Sequence, residues 1–256
     1  MTTLERERES ESKGDAASSH ESEVIVAKDR SEHAALGAEL LARAITEAVD
    51  QRGIARVALS GGTTPSETYQ RLAALKLPFD KVEWYWVDER GVPPDHPRSN
   101  YGQAARDLSL ADGKHGRAHR MEGERDLSEA ATAYEKRLRG AFGVAGAVSF
   151  DAMTLGVGDD GHTASLFPGI GAVSIDDRLV AHIAEQPEKK LEARVTLTAP
   201  VILEARLLLV LVRGASKRAV VEKARAAGPE DEVPSRLTQR AKGRVIWLLD
   251  REAAGQ

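Results

Sequence analysis

The stretch IARVALSGGTTPSETYQRLAAL, Ile54 to Leu75, changes character halfway along. Ile54 to Ser60 is an apolar run of strand length and reads as buried on both faces. Gly61 and Gly62 follow, and from Thr64 the pattern turns helical, with Pro65 near the first turn, where no helical hydrogen bond is lost. Strand, glycine turn and helix in succession point to a sheet layered with helices.

The same alternation runs outward in both directions. Val24 to Ala27 reads as a first strand, and Ser31 heads a helix in which Ala34, Leu41, Ala44, Ile45 and Ala48 recur at helical spacing until Gly53 closes it. Val82 to Val87 (VEWYWV) is a third strand, and the proline-rich VPPDHPRSN after it is a loop. A helix over Leu127 to Arg139 leads to AMTLGV and then to a glycine turn. RVTLT (Arg194 to Thr198), LLLVLV (Leu207 to Val212), a helix over Ser216 to Ala227 and the strand VIWLL (Val245 to Leu249) complete the series. The pattern predicts one α/β domain over residues 24–256: a doubly wound, mostly parallel sheet with helices on both faces. In such folds ligands sit at the carboxyl ends of strands.

At 256 residues and 41% hydrophobic content, the chain can bury a sizeable core. It has no cysteine, which excludes disulfides and thiolate chemistry. The first 23 residues carry three basic and seven acidic side chains, so they account for the whole net charge of −4 and leave 33 of each sign from Val24 onward. That balance offers no basic footprint for nucleic acid. Residues 1–23 are poor in apolar side chains and rich in Glu, Ser and Arg, a composition that predicts a disordered acidic tail. No secretory h-region is present, and the six-residue LLLVLV is far short of a membrane span. A cytoplasmic protein without a membrane partner is expected.

The chemistry gathers in the loops. In LSGGTTPS, N–H groups at a helix start and the hydroxyls of Ser60, Thr63 and Thr64 suit a phosphate or carboxylate, although an ordinary strand-to-helix turn looks the same. It is neither a Walker loop nor a dinucleotide fingerprint. Asp88, Glu89 and Arg90 follow the aromatic strand, either as a solvated rim or with one of them facing a cleft. LGVGDDGHTASLFPG, Leu155 to Gly169, sets Gly156, Gly158 and Gly161 around His162, the natural general base; Asp159 and Asp160 are both near enough in sequence to orient it. Lys217 is placed in the first turn of a helix, where the macrodipole disfavours a cation unless a bound anion compensates; a snorkelling surface lysine is the plain alternative. His115 and His119 have Gly116 between them and no acidic third ligand, so no metal site is expected. No G-x-S-x-G elbow occurs, so a hydrolase built on this chain attacks with water.

Taken together, SGGTTP, DERGVPPDHPRSN, LGVGDDGHTASLFPG, RVTLT with GASK, and VIWLLD closely resemble the 6-phosphogluconolactonase family, in that family's order, from about Val24 to Asp250. The resemblance implies a Rossmann-like fold shared with glucosamine-6-phosphate deaminases and hydrolysis of a sugar-phosphate lactone without cofactor or metal. It implies His162 as the base that activates water, Asp160 as the group that orients it, and Arg90 as a cation beside the lactone or its oxyanion. It also implies a phosphate clamp of Ser60, Gly61, Gly62, Thr63, Arg194 and Lys217, with Asp88, Glu89 and Asn100 shaping the pocket and binding sugar hydroxyls. A monomer or weak homodimer is expected. The family often has prolines before the RVTLT-type strand, whereas this chain reads KKLEARVTLT, and Asp159 stands where the family often has another residue. Two rivals share the fold. A glucosamine-6-phosphate deaminase would carry an Asn-Glu-Pro segment after the histidine turn, where Leu166 and Phe167 stand here, and a tyrosine after the Asp-Glu pair, where this chain has Arg90. A sugar-phosphate sensor would carry a helix-turn-helix segment, which a 23-residue acidic tail cannot supply.

Overall fold

The computed structural model describes residues 22–143, 147–189 and 191–256. The expected tail lies outside these residues except for Ser22 and Glu23, and Glu23 already belongs to the first strand. In chain order the first half forms β1 (Glu23–Ala27), α1 (Arg30–Arg52), β2 (Ala55–Leu59), α2 (Thr63–Ala73), β3 (Val82–Trp86), β4 (Asp88–Arg90), α3 (Asn100–Asp107), β5 (Arg117–Ala118) and α4 (Leu127–Phe142). The second half forms β6 (Ala152–Leu155), β7 (Val180–Ile183), β8 (Arg194–Leu197), α5 (Ala199–Leu203), β9 (Leu207–Val212), α6 (Arg218–Arg225), β10 (Arg244–Asp250) and α7 (Arg251–Ala254). None of the described helices is long and apolar enough to cross a membrane.

Seven strands form one sheet in the order β1-β10-β9-β6-β2-β3-β5, with every pairing parallel. Successive side chains of a strand point to opposite faces, so an unbroken apolar strand feeds two cores. Val57, Leu59, Trp84, Trp86, Leu209 and Leu211 enter one core, which α1, α2 and α3 cover with Leu41, Ile45, Leu72 and Ala104. Ala58, Tyr85, Leu208 and Val210 enter the other, beneath Tyr134 and Leu138 of α4, Ile202 of α5 and Val221 of α6. The doubly wound arrangement expected from the sequence is the one observed. α1 starts where its sequence signals a cap: the Asp29 carboxylate accepts the Glu32 N–H at 2.8 Å, while Glu32 reaches back to the Lys28 N–H at 2.6 Å.

Three features depart from the sequence reading. β4, β8 and β7 form a separate three-stranded antiparallel sheet, whose Val180, Ile183, Val195 and Leu197 join the second core. Asp88, Glu89 and Arg90 are therefore a strand and not a loop after β3, because RVTLT pairs with them. Finally, Ala215–Lys217 is a 3₁₀ turn and α6 begins only at Arg218, which leaves Lys217 at the helix N-cap rather than inside its first turn.

The chain leaves β2 toward β3 on one side and leaves β6 toward β9 on the other, so the winding direction reverses between two adjacent parallel strands. Such a reversal opens a crevice at the carboxyl ends. A buried clasp closes its floor. Ser60 donates its N–H to Thr154 Oγ1 at 2.8 Å, and the Tyr69 hydroxyl donates to the Ser60 carbonyl at 2.9 Å while lying 2.7 Å from the same threonine oxygen. Burial pushes the Tyr69 hydroxyl up to about 12, so it stays a neutral donor.

Two buried histidines make the fold sensitive to acid. His33 of α1 is fully buried, with Nε2 2.9 Å from the Leu248 carbonyl, and burial is the main cause of its lowered pKa, to which the Arg213 charge adds. His119 stacks on Tyr85 at 4.6 Å and is also lowered, first by burial, with Glu83 opposing. Below the ordinary histidine value of about 6.5 the unfolded chain takes up protons that the folded chain refuses, so stability falls as pH falls through that value. Urea midpoints should therefore be lower at pH 5.5 than at pH 7.5, and His33→Gln should narrow the gap. Equal midpoints, or a higher one at pH 5.5, would contradict this account.

Candidate active site

A cavity of about 260 Å³ opens over the crevice between β2 and β6. That is just below the roughly 300–1,000 Å³ usual for ligand clefts and leaves room for one small molecule of about sugar size. Of the twelve residues that the resemblance assigns to the site, Asp160 and Glu89 alone stand outside its wall. A groove of about 680 Å³ between α4 and β7 is larger, but none of those residues lines it.

The turn after β2 forms one end. A Cβ at Gly61 would collide with the Asn100 carboxamide oxygen, so only glycine lets the two segments meet. Gly62 is the N-cap of α2, and no side chain caps the helix. The Gly62 N–H is taken by Gln103 Oε1 at 3.2 Å. Thr63 and Thr64 begin the helix and line the cavity, and at these positions the backbone N–H groups have no intrahelical partner. Such a terminus attracts an anion.

The turn after β6 supplies the imidazole. His162 folds its ring over Gly158, where a Cβ would occupy the space of the ring. Asp160 Oδ1 accepts from the His162 backbone N–H at 3.0 Å and lies 2.6 Å from Nδ1. The aspartate left open by the sequence is thus Asp160, and no described residue hydrogen-bonds Nε2. Burial would raise the Asp160 carboxyl, but the ring and backbone N–H of His162 outweigh it and hold the carboxyl below the usual range. Phe167 packs against the imidazole at 4.4 Å between centroids. Ala164, also in the wall, has φ +49, a left-handed conformation that costs of order 1–3 kcal/mol and is typical of functional turns. Ser165 fastens the turn to the small sheet, donating its hydroxyl to Asp88 Oδ2 at 2.6 Å and its N–H to Thr196 Oγ1 at 3.2 Å.

The small sheet brings the cations. Arg90 and Arg194 are direct cross-strand partners in the β4–β8 pairing, an arrangement of like charges that is unfavourable unless something anionic relieves it. Asp88 relieves it in part, 3.7 Å from Arg194. Burial lowers the Arg194 guanidinium from its ordinary value, with Asp88 pulling it up and Arg90 down. The Nε atoms of both arginines and Oδ1 of Asn100 are buried without a partner, and all three residues line the cavity. Arg90, Arg194, Lys217 and Asn100 in one wall suit a polar, anionic ligand.

Glu89 does something else. It is 2% exposed and accepts from the N–H groups of Arg90, Asn100 and Tyr101 at 2.8 Å each and from the Ser99 hydroxyl at 2.9 Å. Its place behind the wall leaves it to shape the pocket by holding Arg90 and Asn100, with no oxygen directed at a sugar hydroxyl. Lys217 arrives from the loop after β9, where the Asp250 carboxylate accepts the Gly214 N–H at 3.0 Å, and reaches the Val157 carbonyl at 2.9 Å. Arg213 is a lining cation that the sequence reading missed; it contacts Glu67 at 3.3 Å and the Thr63 carbonyl at 3.4 Å. Its signal was available, since it is the first charge past LLLVLV at a strand's carboxyl end. His115 and His119 take no part, being packed on Phe79 and Tyr85 respectively.

The chain matches the family described as Glucosamine-6-phosphate isomerases/6-phosphogluconolactonase over residues 28–247. It is 40% identical over 215 residues to the 6-phosphogluconolactonase of Synechocystis sp., a match covering 82% of this chain and 87% of that protein. To the 6-phosphogluconolactonase of Nostoc sp. it is 36% identical over 238 residues, covering 91% and 97%. The structure of 6-phosphogluconolactonase from Trypanosoma brucei superposes with a TM-score of 0.80 at 31% identity, covering 92% of this chain and 98% of that one. The fold, the crevice and these likenesses agree: the chain belongs to the glucosamine-6-phosphate isomerase/6-phosphogluconolactonase family.

Proposed function

We propose that this chain hydrolyses 6-phospho-D-glucono-1,5-lactone to 6-phospho-D-gluconate, the lactone step of the oxidative pentose phosphate pathway, with water activated by His162. The observation that carries this reading is that His162, Lys217 and the uncapped start of α2 line one cavity of sugar size. The named lactonases that match most of this chain support it. The deaminase alternative has less to stand on, because Phe167 packs on the imidazole where that enzyme would hold a carboxylate.

The phosphate is remote from the reacting bond, and the α2 terminus, Lys217 and Arg194 clamp it, so binding energy fixes the lactone carbonyl beside His162. Asp160 accepts the Nδ1 proton of His162, which leaves the Nε2 lone pair to take a proton from water as the water oxygen attacks C1. The carbonyl π pair moves to oxygen, and Arg90 faces the resulting oxyanion; a preorganised donor of this kind is worth roughly 3–4 kcal/mol. When the carbonyl re-forms, the C1–O5 bond breaks and the imidazolium returns its proton to O5. The products are a hydroxyl at C5 and a carboxylic acid at C1. No step calls on a cofactor or a metal. A water-soluble phosphorylated substrate fits a cytoplasmic location, and action as a monomer or weak homodimer belongs to the same reading.

His162→Ala should lower the turnover of 6-phosphogluconolactone by at least about 100-fold, the low end of general-base effects. Unchanged turnover would reject the base assignment. Lys217→Ala should raise KM for the phosphorylated lactone far more than for glucono-1,5-lactone. An equal loss against both substrates would remove the phosphate contact.

A further inference from the structure

Two consecutive aspartates in the glycine turn face different partners. Asp160 lies 2.6 Å from the His162 ring, and Asp159 lies 2.6 Å from the Lys217 ammonium. The Lys217 side chain is 23% exposed and lines the cavity, whereas that of Asp159 is 79% exposed and stands outside the wall. Lys217 is the only described partner of the Asp159 carboxylate. Glu67, which neutralises the neighbouring Arg213, is anchored differently, since Arg30 also grips it at 2.8 Å. One counter-ion of the anion end is therefore tied down, and the other is held by a single exposed contact.

A phosphate seated on the Thr63 and Thr64 N–H groups brings its negative charge to the same ammonium. Asp159 and the phosphate repel each other there, and the phosphate has the helix terminus in addition. We propose that Asp159 is a displaceable counter-ion: it occupies Lys217 until the substrate's phosphate takes its place, and its return helps expel the phosphorylated product. Asp159 thereby sets the affinity of the anion end without touching the substrate. This rests on the phosphate reading of Lys217 given above. An exposed pair is weak, which is what a displaceable contact requires.

Calorimetric titration of the wild type, Asp159→Asn, Lys217→Ala and the double variant with inorganic phosphate and with 6-phosphogluconate tests it. Asp159→Asn should tighten both ligands about two- to fivefold, the range expected from releasing an exposed ion pair. The gain should shrink as salt rises and vanish when Lys217 is absent. Equal or weaker binding by Asp159→Asn, or the same gain in the Lys217→Ala background, would overturn the proposal. If Lys217→Ala alone leaves phosphate affinity unchanged, the phosphate assignment of Lys217 fails, and the counter-ion role falls with it.

Discussion

Two parallel strands that lie side by side and part in opposite directions govern the rest of this molecule. β2 and β6 share only the register Val57 with Ala152 and Ala58 with Met153 before their chains diverge. Past that point Ser60, Thr154 and Tyr69 close a buried hydrogen-bonded clasp, so the two glycine turns start from fixed points. One turn opens α2 and its unpaired N–H groups. The other carries His162. Their separation is set by a sheet whose strands are buried on both faces, and the site inherits that rigidity.

Around this crevice the charges are arranged in answered pairs. Arg194 has Asp88, Arg213 has Glu67 and Lys217 has Asp159, while the His162 ring has Asp160 as its hydrogen-bond partner. The arrangement lets cations gather without an anion present, and it makes ligand binding an exchange of partners. Where pairing is incomplete, at the Nε atoms of Arg90 and Arg194 and at Asn100 Oδ1, the unsatisfied atoms belong to residues of the cavity wall. Leaving a buried polar atom unpaired costs about 1–3 kcal/mol.

Much of this was readable from sequence because its signals are local. The apolar runs of β2, β3, β9 and β10, the helical spacing in α1 and α4, and the glycine turns all depend on neighbours within a few residues. The small antiparallel sheet was not readable, because β4 is three residues long and its partner lies more than a hundred residues away. The burial of Asp88 and Glu89 was hidden for the same reason. A charge run reads as a rim until Ser99, Asn100, Tyr101 and Ser165 supply its hydrogen bonds. Sequence spacing could not divide Asp159 from Asp160 either, since side-chain direction in a glycine turn follows from backbone angles that sequence leaves free.

The proposed hydrolysis requires one molecule to bridge the α2 terminus and the His162 ring. A crystal structure with 6-phosphogluconate tests it most directly. The phosphate is expected on the Thr63 and Thr64 N–H groups beside Lys217, with the C1 carboxylate within hydrogen-bond reach of His162 Nε2. A ligand bound in the reverse orientation, or settled in the groove between α4 and β7, would contradict it.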